Sequence, residues 1–470
     1  MTVNSRVEEW QQLMNDRLKD DINHAPTGRS GTEAGGREVP QAPEVKTSPR
    51  EPTVKLMEQI CAYDNLNQAY KRVKANKGAA GIDGMTTEQL FDYLKIHGKE
   101  LIDKMLDGSY QAQPVREVEI SKPNGGVRKL GIPTVVDRWV QQAILQVLEP
   151  IIDPTLSESS YGFRPKRSAH DALKQASEYV VDGRVIVVDI DLEKFFDRVN
   201  HDILMSKLAR RIGDRRLLKI IRGFLNAGIM RQGVCTEREQ GVPQGGSLSP
   251  LLSNILLDKL DKELERRNHK FCRYADDCNI YVCSQEAGER VYKSIQEYLW
   301  KRLKLKVNEE KSAVAAVETR KFLGYRILKH GGLDIAPQSL ERAKDKIRKL
   351  TRRTRGRSLA SVIQELKPYL TGWCNYFKLV ETGMKMQSLD GWIRRKLRCY
   401  RLKQRKKCQS IATWLMGLGA SKDEAFKLAG SSKGWWRLSL NRTINKLMSN
   451  AWFEAHGLVS LHRRYTLLNT

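Results

Sequence analysis

The sequence of 470 residues lacks several features that would indicate a membrane or secreted protein. It contains no apolar run long enough to cross a lipid bilayer. Its first twenty residues do not have the pattern of a signal peptide, because four of them are acidic: Glu8, Glu9, Asp16 and Asp20. We therefore expect a protein with no membrane partner.

Paired cysteines are also missing, although the chain has eight cysteines. None of them belongs to a C-x-x-C motif, and Cys278 and Cys283 have no His or Cys neighbours at the spacing of a zinc site. The sequence therefore argues against bound zinc. Scattered thiols in a chain of this length are typical of a reducing, intracellular setting.

Acidic residues are scarce relative to basic ones, with 55 Asp and Glu against 82 Lys and Arg, a formal net charge of +27. A charge this large favours a polyanionic partner, and without an apolar span that partner is nucleic acid rather than a membrane. The excess is uneven, since residues 341–470 hold 29 basic and 8 acidic residues. We expect the C-terminal region to provide the main positively charged surface for the polyanionic partner.

Composition and periodicity divide the chain into three parts, 1–53, 54–335 and 336–470. A helical pattern over 1–24 and a Gly-, Pro- and Ser-rich stretch over 26–52 predict an N-terminal helix and a flexible linker. Beyond the linker, the periodicity predicts helices at 56–76, 86–106, 130–150, 169–180, 214–226, 251–265 and 285–303, and strands at 115–120, 185–188, 304–308 and 322–327. From about 338 the pattern is helical and very basic.

Two acidic segments stand out in this basic chain. Residues 274–277 (Tyr-Ala-Asp-Asp) separate two β-rich runs, which predicts a hairpin with Asp276 and Asp277 at its tip. The β-branched run 185–188 predicts a buried strand that ends in Asp189 and Asp191, two positions apart and so on the same face. Close carboxylates repel each other unless a cation neutralises them, and a hard divalent ion such as Mg²⁺ would do so.

Three basic or glycine-rich segments accompany the acids. Pro-Asn-Gly-Gly at 123–126 predicts a hairpin turn flanked by Lys122 and Arg128, two cations that could clamp a triphosphate. Residues 161–167 interleave aromatic and cationic side chains, as in loops that contact nucleic acid. The Gly-rich loop 240–250 lacks the spacing of dinucleotide-binding and Walker-type loops, which excludes both.

In chain order, these segments resemble the fingers and palm of reverse transcriptases, and more closely those of group II intron reverse transcriptases, also called maturases. The resemblance covers about 55–470. Its motifs are Phe-Arg-Pro at 163–165, Gln-Gly-Val-Pro-Gln-Gly at 240–245, Tyr-Ala-Asp-Asp at 274–277, Phe-Leu-Gly-Tyr at 322–325 and Gly-Trp-Cys-Asn-Tyr-Phe at 372–377. The last motif lies in the basic region that the family calls domain X.

The resemblance implies a catalytic role for three aspartates. In the family's first catalytic motif, the metal-binding Asp lies five positions before an aromatic residue that contacts the nucleotide sugar. Phe196 is that aromatic here, which selects Asp191 rather than Asp189 as the first metal ligand. Asp276 would share the metals with Asp191, and Asp277 would complete the acidic triad. Phe196 would disfavour ribonucleotides sterically.

The resemblance also implies binding roles. Lys122 and Arg128 match the triphosphate-binding pair of the fingers, and Gln244 and Gly245 match the loop along the incoming nucleotide and template. Lys311 resembles a palm lysine that protonates pyrophosphate. The residues expected to contact nucleic acid are Arg164, Tyr274, Gly324, Arg352, Arg353, Arg394 and Arg395.

The implied fold is α+β. It is a right-hand polymerase whose fingers and palm, a ferredoxin-like antiparallel sheet plus helices, occupy 54–335. An α-helical, basic thumb or maturase domain follows over 336–470. The family often carries a C-terminal DNA endonuclease with Cys pairs and metal-binding His residues. No such pattern precedes Thr470, so we expect the endonuclease-lacking type.

The implied function is that of an RNA-directed DNA polymerase, which binds group II intron RNA, assists its splicing and copies it into DNA during intron mobility. Two Mg²⁺ ions, with Mn²⁺ as a substitute, are the implied cofactors. The implied partners are the intron RNA, an RNA template with a DNA primer, target DNA and dNTPs. We expect a cytoplasmic, bacterial protein associated with the nucleoid or with a ribonucleoprotein.

Two other functions stay open at this point. A maturase that has kept RNA binding and lost most polymerase activity would belong to a different functional class, although it would be expected to have lost its acidic triad. A domesticated, CRISPR-associated or diversity-generating reverse transcriptase would share the palm motifs. The domain X motif at 372–377 argues against this second alternative.

The choice between Asp189 and Asp191 gives a direct prediction. We expect Asp191→Ala to abolish DNA synthesis in a primer-extension assay, because it removes a metal ligand. Asp189→Ala, which removes only a neighbouring charge, should weaken synthesis and leave it measurable. The opposite ranking of the two variants would mean that the wrong aspartate has been aligned with the family motif.

Overall fold

A computed structural model describes residues 55–121, 126–231 and 234–470. The predicted N-terminal helix, the linker at 26–52 and Lys122 lie outside the described residues. Among the described residues, no helix has both the length and the apolar character that a membrane crossing requires. The chain divides into two compact units, and the first comprises the residues up to 172 together with 188–280 and 289–313.

The first unit begins with helices and then forms a hairpin. Its helices are α1 (Leu56–Ile60), α2 (Tyr63–Ala75), α3 (Leu90–Leu106), α4 (Val135–Ile152), α6 (His201–Ala209), α7 (Arg215–Asn226), α8 (Ser249–Arg266) and α9 (Gln285–Tyr298). A π-helical turn, Leu299–Leu303, follows α9. Helix α5 (Ala169–Val181) begins in the first unit, and its residues from 173 onward belong to the second unit.

Two four-stranded sheets organise the strands. Strands β1 (Val115–Ser121), β2 (Val127–Ile132), β4 (Ile229–Arg231) and β5 (Val234–Thr236) form one sheet in the order β2-β1-β4-β5. Strands β1 and β2 are antiparallel, with Ile120 opposite Arg128. Strands β3 (Ile186–Ile190), β6 (Lys270–Tyr274), β7 (Asp277–Val282) and β8 (Ala313–Ala316) form the other, in the order β6-β7-β3-β8.

The second unit comprises 173–187, 281–288 and 314–470 and is mainly helical. A short hairpin of β9 (Tyr325–Ile327) and β10 (Leu333–Ile335) precedes its long helices. The helices are α10 (Pro337–Leu350), α11 (Leu359–Tyr376), α12 (Met384–Arg405), α13 (Cys408–Gly417), α14 (Lys422–Ala429), α15 (Trp435–Leu438), α16 (Arg442–Leu447), α17 (Asn450–Ala455) and α18 (Leu461–Asn469). The α+β class and the helical C-terminal part are as predicted.

Local chemistry explains how three of these elements form. Thr134 caps α4, since its hydroxyl oxygen accepts a hydrogen bond from the backbone N–H of Asp137 at 3.1 Å. Helix α8 starts with Ser249 and Pro250, and a proline in the first turn costs no hydrogen bond. Strand β3 is rich in β-branched residues and buries Val187 and Val188, as a central strand requires.

One predicted strand, 304–308, is wrong, and another, 322–327, is a strand only over its second half, Tyr325–Ile327. Residues 304–308 form only an isolated bridge, between Val307 and Leu192, because Lys304 is left-handed and ends the π-helical turn. The segment 322–327 is bent, with Leu323 and Gly324 both at positive φ, so that Phe322 pairs with Tyr325 across a two-residue turn. The predicted mid-strand glycine is therefore a turn residue.

Helix α4 holds a buried carboxyl group that should be visible in the pH dependence of stability. Asp137 accepts hydrogen bonds from the hydroxyls of Tyr110 (2.8 Å) and Thr134 (2.7 Å) and from the backbone of Gln113 (3.2 Å). Burial nevertheless raises the pKa of Asp137 from 3.8 to about 6. Its contribution to stability is thus complete below the unfolded-state pKa and is lost as the pH rises through about 6.

We expect Asp137→Asn to remove this contribution. Between about pH 4 and pH 7 the wild type should lose stability relative to the variant, mostly below pH 6, at about 1.4 kcal/mol for each unit of pKa difference. Thermal unfolding of both proteins at the two pH values measures the difference. Parallel pH dependence of the two melting temperatures would show that the carboxyl group does not titrate in this range.

Candidate active site

The predicted acidic hairpin forms at the junction of β6 and β7. Strand β6 ends at Tyr274 and β7 starts at Asp277, so Ala275 and Asp276 make the turn between them. Ala275 has a φ of 58°, a left-handed conformation that few residues other than glycine adopt. The surroundings must hold this turn in place, and a buried arginine does so.

Arg273, which is fully buried, fastens the turn to the rest of the first unit. Its guanidinium donates to both carboxylate oxygens of Asp261 in α8, at 2.7 and 2.6 Å. It also donates to the carbonyl of Ala275 at 2.8 Å, to Asn254 at 3.0 Å and to the hydroxyl of Ser160 at 2.7 Å. These bonds use all five donors of the side chain.

The loop that contains the Phe-Arg-Pro motif lies against the same turn. The backbones of Tyr161 and Arg273 are hydrogen-bonded, with Tyr161 N–H donating to the Arg273 carbonyl at 2.8 Å. A Cβ atom at Gly162 would come within 2.2 Å of the Ala275 nitrogen. Only glycine allows this approach.

Asp191 lies just beyond the end of β3 and reaches the same region. Its backbone is held on both sides, since Asn308 N–H donates to its carbonyl at 2.8 Å and its own N–H donates to the Ser312 hydroxyl at 2.9 Å. The Lys311 ammonium lies 3.4 Å from its carboxylate. The side chain of Asp191 therefore meets a cation at the surface of a cleft.

That cleft contains most of the predicted catalytic and nucleotide-binding residues. It has a volume of about 1080 Å³. Asp191, Asp276, Arg128, Phe196, Gln244 and Lys311 all line it. Asp189 and Asp277 are not among the lining residues, and Asp277, at the start of β7, is exposed. The structure thus brings two of the three predicted catalytic carboxylates into one cavity.

The electrostatics of the cleft suit a bound cation. Burial raises the pKa of Asp276, the nearby charge of Asp191 raises it further, and Arg128 and Lys311 act in the opposite direction. Two carboxylates that destabilise each other's charge, and that offer only hard oxygen donors, match the ligand preference of a divalent ion such as Mg²⁺. The donor set therefore fits the predicted metal.

A complete metal cage is not preformed. Among the described residues, no three His, Cys, Asp or Glu side chains converge as a metal-binding group. Mg²⁺ usually keeps several waters and is held by one or two carboxylates plus substrate phosphates, so a pair of aspartates is compatible with it. The role of Asp277 as a third ligand stays a prediction.

The Gly-rich loop is tied to the β1–β2 hairpin at the edge of the cleft. Arg128 Nε donates to the side-chain carbonyl of Gln244 at 2.7 Å, and Gly131 N–H donates to the backbone carbonyl of Gln244 at 3.0 Å. Gly245 lies beside these contacts, in a neighbouring cavity that Arg128 and Phe196 also line. The hairpin cation and the loop residues assigned to nucleotide binding are therefore adjacent.

Phe196 is positioned by the same loop. It belongs to a single 3-10 turn, Phe195–Asp197, and its backbone carbonyl accepts a hydrogen bond from Val242 N–H at 2.7 Å. Its ring lies edge-on to Phe195, with the ring centroids 5.1 Å apart. Phe196 lines the cleft that contains Asp191 and Asp276, which is where the predicted sugar contact requires it.

Arg164 does not have the exposed position that a nucleic-acid contact requires, and here the prediction is wrong. Only 2% of its side chain is exposed. Its guanidinium binds the Asp153 carboxylate at 2.6 Å and donates to the carbonyls of Ser157 and Ser160 at 2.5 and 2.9 Å. Arg164 holds the motif loop together from inside.

Gly324 also has a structural explanation. Its φ of +85° is required by the turn between Phe322 and Tyr325. A Cβ at this position would lie 3.5 Å from the ring of Phe377, so protein fills the space that we had assigned to a nucleic acid backbone. The glycine serves the turn.

The predicted arginine contacts of the second unit differ in exposure. Arg352 and Arg353 are exposed, whereas Arg394 and Arg395 are half-buried. The Arg395 guanidinium stacks on Trp436, with its central carbon 3.7 Å from the ring centroid. For these four arginines, and for Tyr274 in the first unit, a contact with nucleic acid stays a prediction.

The sequence reasoning missed Arg273 and Asp261, which position the turn. Both are buried, and their pairing joins α8 to the strand that follows it, over a separation of 12 residues. A sequence signal did exist, since Arg273 interrupts an apolar strand immediately before the turn. A charge at such a position needs a buried partner.

Comparisons with known proteins support the assignment. The family model described as "Reverse transcriptase (RNA-dependent DNA polymerase)" matches residues 120–327. The model described as "Group II intron, maturase-specific domain" matches residues 340–416. The two models lie in the predicted order along the chain.

Three curated proteins illustrate the similarity. Protein YkfC of Escherichia coli is 34% identical over 317 residues, which cover 58% of this chain and 83% of that protein. Group II intron-encoded protein LtrA of Lactococcus lactis is 30% identical over 332 residues, 55% of this chain and 54% of LtrA. The putative COX1/OXI3 intron 1 protein of Saccharomyces cerevisiae is 28% identical over 56% of this chain and 38% of that protein. This chain thus spans about half the length of LtrA.

The Arg273–Asp261 pair should dominate the stability of the turn. We expect Arg273→Met to cost about 3–5 kcal/mol of unfolding free energy, because it leaves the Asp261 carboxylate buried and unpaired. The double variant Arg273→Met/Asp261→Leu should recover much of the loss, since no lone charge remains. Denaturant titration measures both, and equal losses would show that packing rather than charge is responsible.

Proposed function

The chain belongs to the family of group II intron reverse transcriptases and maturases, and on that premise we propose that its cleft polymerises DNA on an RNA template with two Mg²⁺ ions. The predicted class of enzyme, an RNA-directed DNA polymerase, is confirmed by the reverse transcriptase model that matches residues 120–327. Members of this family use divalent metal ions. The observation that carries the proposal is the meeting of Asp191 and Asp276 in one cleft with Arg128, Gln244 and Phe196.

The two aspartates would hold the metal ions, and Asp277 would complete the site. When bound, such ions act as Lewis acids that lower the pKa of the primer 3′-hydroxyl and neutralise the charge of the departing pyrophosphate. The protein then has little covalent chemistry to perform. Its own residues bind and orient the substrates, which is the main requirement of phosphoryl transfer.

Arg128 and Lys311 are the cations placed to bind the triphosphate. Arg128 is held by Gln244 and influences Asp276 electrostatically, while Lys311 lies beside Asp191. A guanidinium binds phosphate oxygens in a planar fork and fixes their orientation. The Lys311 ammonium carries a proton that it can give to the pyrophosphate oxygen as the phosphate bond breaks.

Phe196 would select the sugar. Its turn is fastened to the Gly-rich loop through Val242, so the ring cannot easily retreat from the cleft. A rigid ring beneath the sugar would clash with a 2′-hydroxyl and admit a deoxyribose. The protein would therefore use dNTPs, with a DNA primer on the RNA template.

The second unit would bind intron RNA and the template–primer. The maturase-specific model matches residues 340–416, and group II intron maturases and reverse transcriptases bind intron RNA. The exposed arginines Arg352 and Arg353 and the stacked Arg395–Trp436 pair offer phosphate and base contacts of the kinds used by single-strand binders. Splicing assistance, copying of the intron and contact with target DNA would follow from holding that RNA.

Primer extension on an RNA template separates this proposal from RNA binding without chemistry. We expect Asp276→Ala to reduce DNA synthesis by several orders of magnitude, because the substitution removes a carboxylate from the metal site. Binding of the same variant to intron RNA, measured by filter retention, should match the wild type. Equal synthesis by both proteins would refute the assignment of Asp276, and a wild type without synthesis would favour a binding-only maturase.

A further inference from the structure

A cluster of cations lies in the first unit, away from the residues of the catalytic cleft. It consists of Lys207, Arg210 and Arg211 at the end of α6 and Lys259 in α8, and we call it the α6–α8 basic cluster. None of its four members lines the cleft that holds Asp191 and Asp276. The catalytic mechanism does not use them.

Lys259 has an unusual position in its helix. Over residues 251–261, α8 is buried at every residue except Lys259, which is exposed. Helix α8 therefore lies in the core, and over this range Lys259 is the residue that reaches the surface. A lysine at that position is compatible with the core, but nothing in the packing of α8 requires a charge there.

The cations outnumber the carboxylate beside them. Asp258 pairs with Arg211, with the Arg211 Nη2 and Asp258 Oδ2 atoms 2.5 Å apart. Lys207, Arg210 and Lys259 have no ion pair with a carboxylate among the described residues. Partial burial, with Lys259, Arg211 and Arg210 nearby, lowers the pKa of Lys207 to about 8. The four side chains thus repel one another.

Two ordinary explanations cover only part of the cluster. Cations at the end of α6 interact favourably with the helix dipole, which accounts for Lys207 and Arg210. This does not explain Lys259, which lies in the middle of α8. A merely solvated charged face is also a poor explanation, because like charges that approach within a partly buried site cost stability.

We propose that the α6–α8 basic cluster binds the phosphate backbone of double-stranded RNA. This inference rests on the proposed function, in which the chain holds a folded intron RNA. Duplex RNA is recognised mainly by shape and by phosphate and 2′-hydroxyl contacts, for which a compact group of Lys and Arg side chains is suited. The phosphates of the RNA would neutralise the cations that have no carboxylate partner in the protein.

The composition of this surface favours a polyanion over a protein partner. Protein interfaces depend on exposed aromatic or large apolar anchors in their centre. Among the described residues, none of the strongly exposed large hydrophobic side chains belongs to α6 or α8. The cluster has charge without such anchors.

Binding of a labelled RNA hairpin duplex over a series of KCl concentrations tests the proposal. The variant Lys207→Gln/Lys259→Gln should lower the slope of log affinity against log salt by about one for each lysine that contacts a phosphate. The matched control is Lys219→Gln, an exposed lysine on α7 outside the cluster, which should keep the wild-type slope. An unchanged slope in the double variant would overturn the proposal.

Two further measurements complete the test. Thermal unfolding should show the double variant to be as stable as the wild type or more stable, because a repulsion is removed; a lower melting temperature with an unchanged salt slope would mean that the lysines serve only the fold. An equal loss of affinity for a DNA duplex of the same sequence would overturn the assignment to RNA. Primer extension by the wild type, run in parallel, tests the polymerase function separately.

Discussion

The buried pairing of Arg273 with Asp261 is the constraint on which the active site depends. The turn that carries Asp276 has a left-handed residue at Ala275, and a guanidinium with all five donors engaged holds the carbonyl of that residue. The same guanidinium binds α8 and the motif loop, so three separate segments meet at one charge. The Asp276 carboxylate keeps its position because this support is rigid.

The buried carboxylates and the surface cations have different surroundings. The buried Asp261 carboxylate is paired with Arg273, the buried Asp137 is held by hydroxyl and backbone donors, and the half-buried Asp276 lies where a cation is expected. Positive charge is abundant at the surface, and in the part of the chain that the structure describes three of the four cations of the α6–α8 basic cluster have no carboxylate partner. Like-charge repulsion of this kind lowers the stability of the free protein, and a polyanionic partner relieves it.

The sequence predicted the fold class, and it predicted that Asp191 and Asp276 would lie together, because the relevant signals were local. Composition alone predicts a structural element at the run 185–188, at the Tyr-Ala-Asp-Asp turn and at the Gly-rich loop. The family resemblance then predicts the roles of their residues. Predictions failed where the role of a residue depends on its contacts in the folded chain, even with partners that are near in the sequence. The basic loop predicts a contact of Arg164 with nucleic acid, yet Asp153 and the carbonyls of Ser157 and Ser160 bind its guanidinium. The sequence pattern does not reveal the turn at Gly324, and so it predicts a nucleic-acid contact there as well.

The two hydrogen bonds that hold Gln244 limit how the surrounding residues can be substituted. It is bound to β2 through its backbone, by Gly131, and through its side chain, by Arg128. The Gly-rich loop and the β1–β2 hairpin are therefore fixed to each other at this point. We expect a substitution in one segment to displace the other, so that altered selectivity at this site would arise by paired substitutions across the two segments.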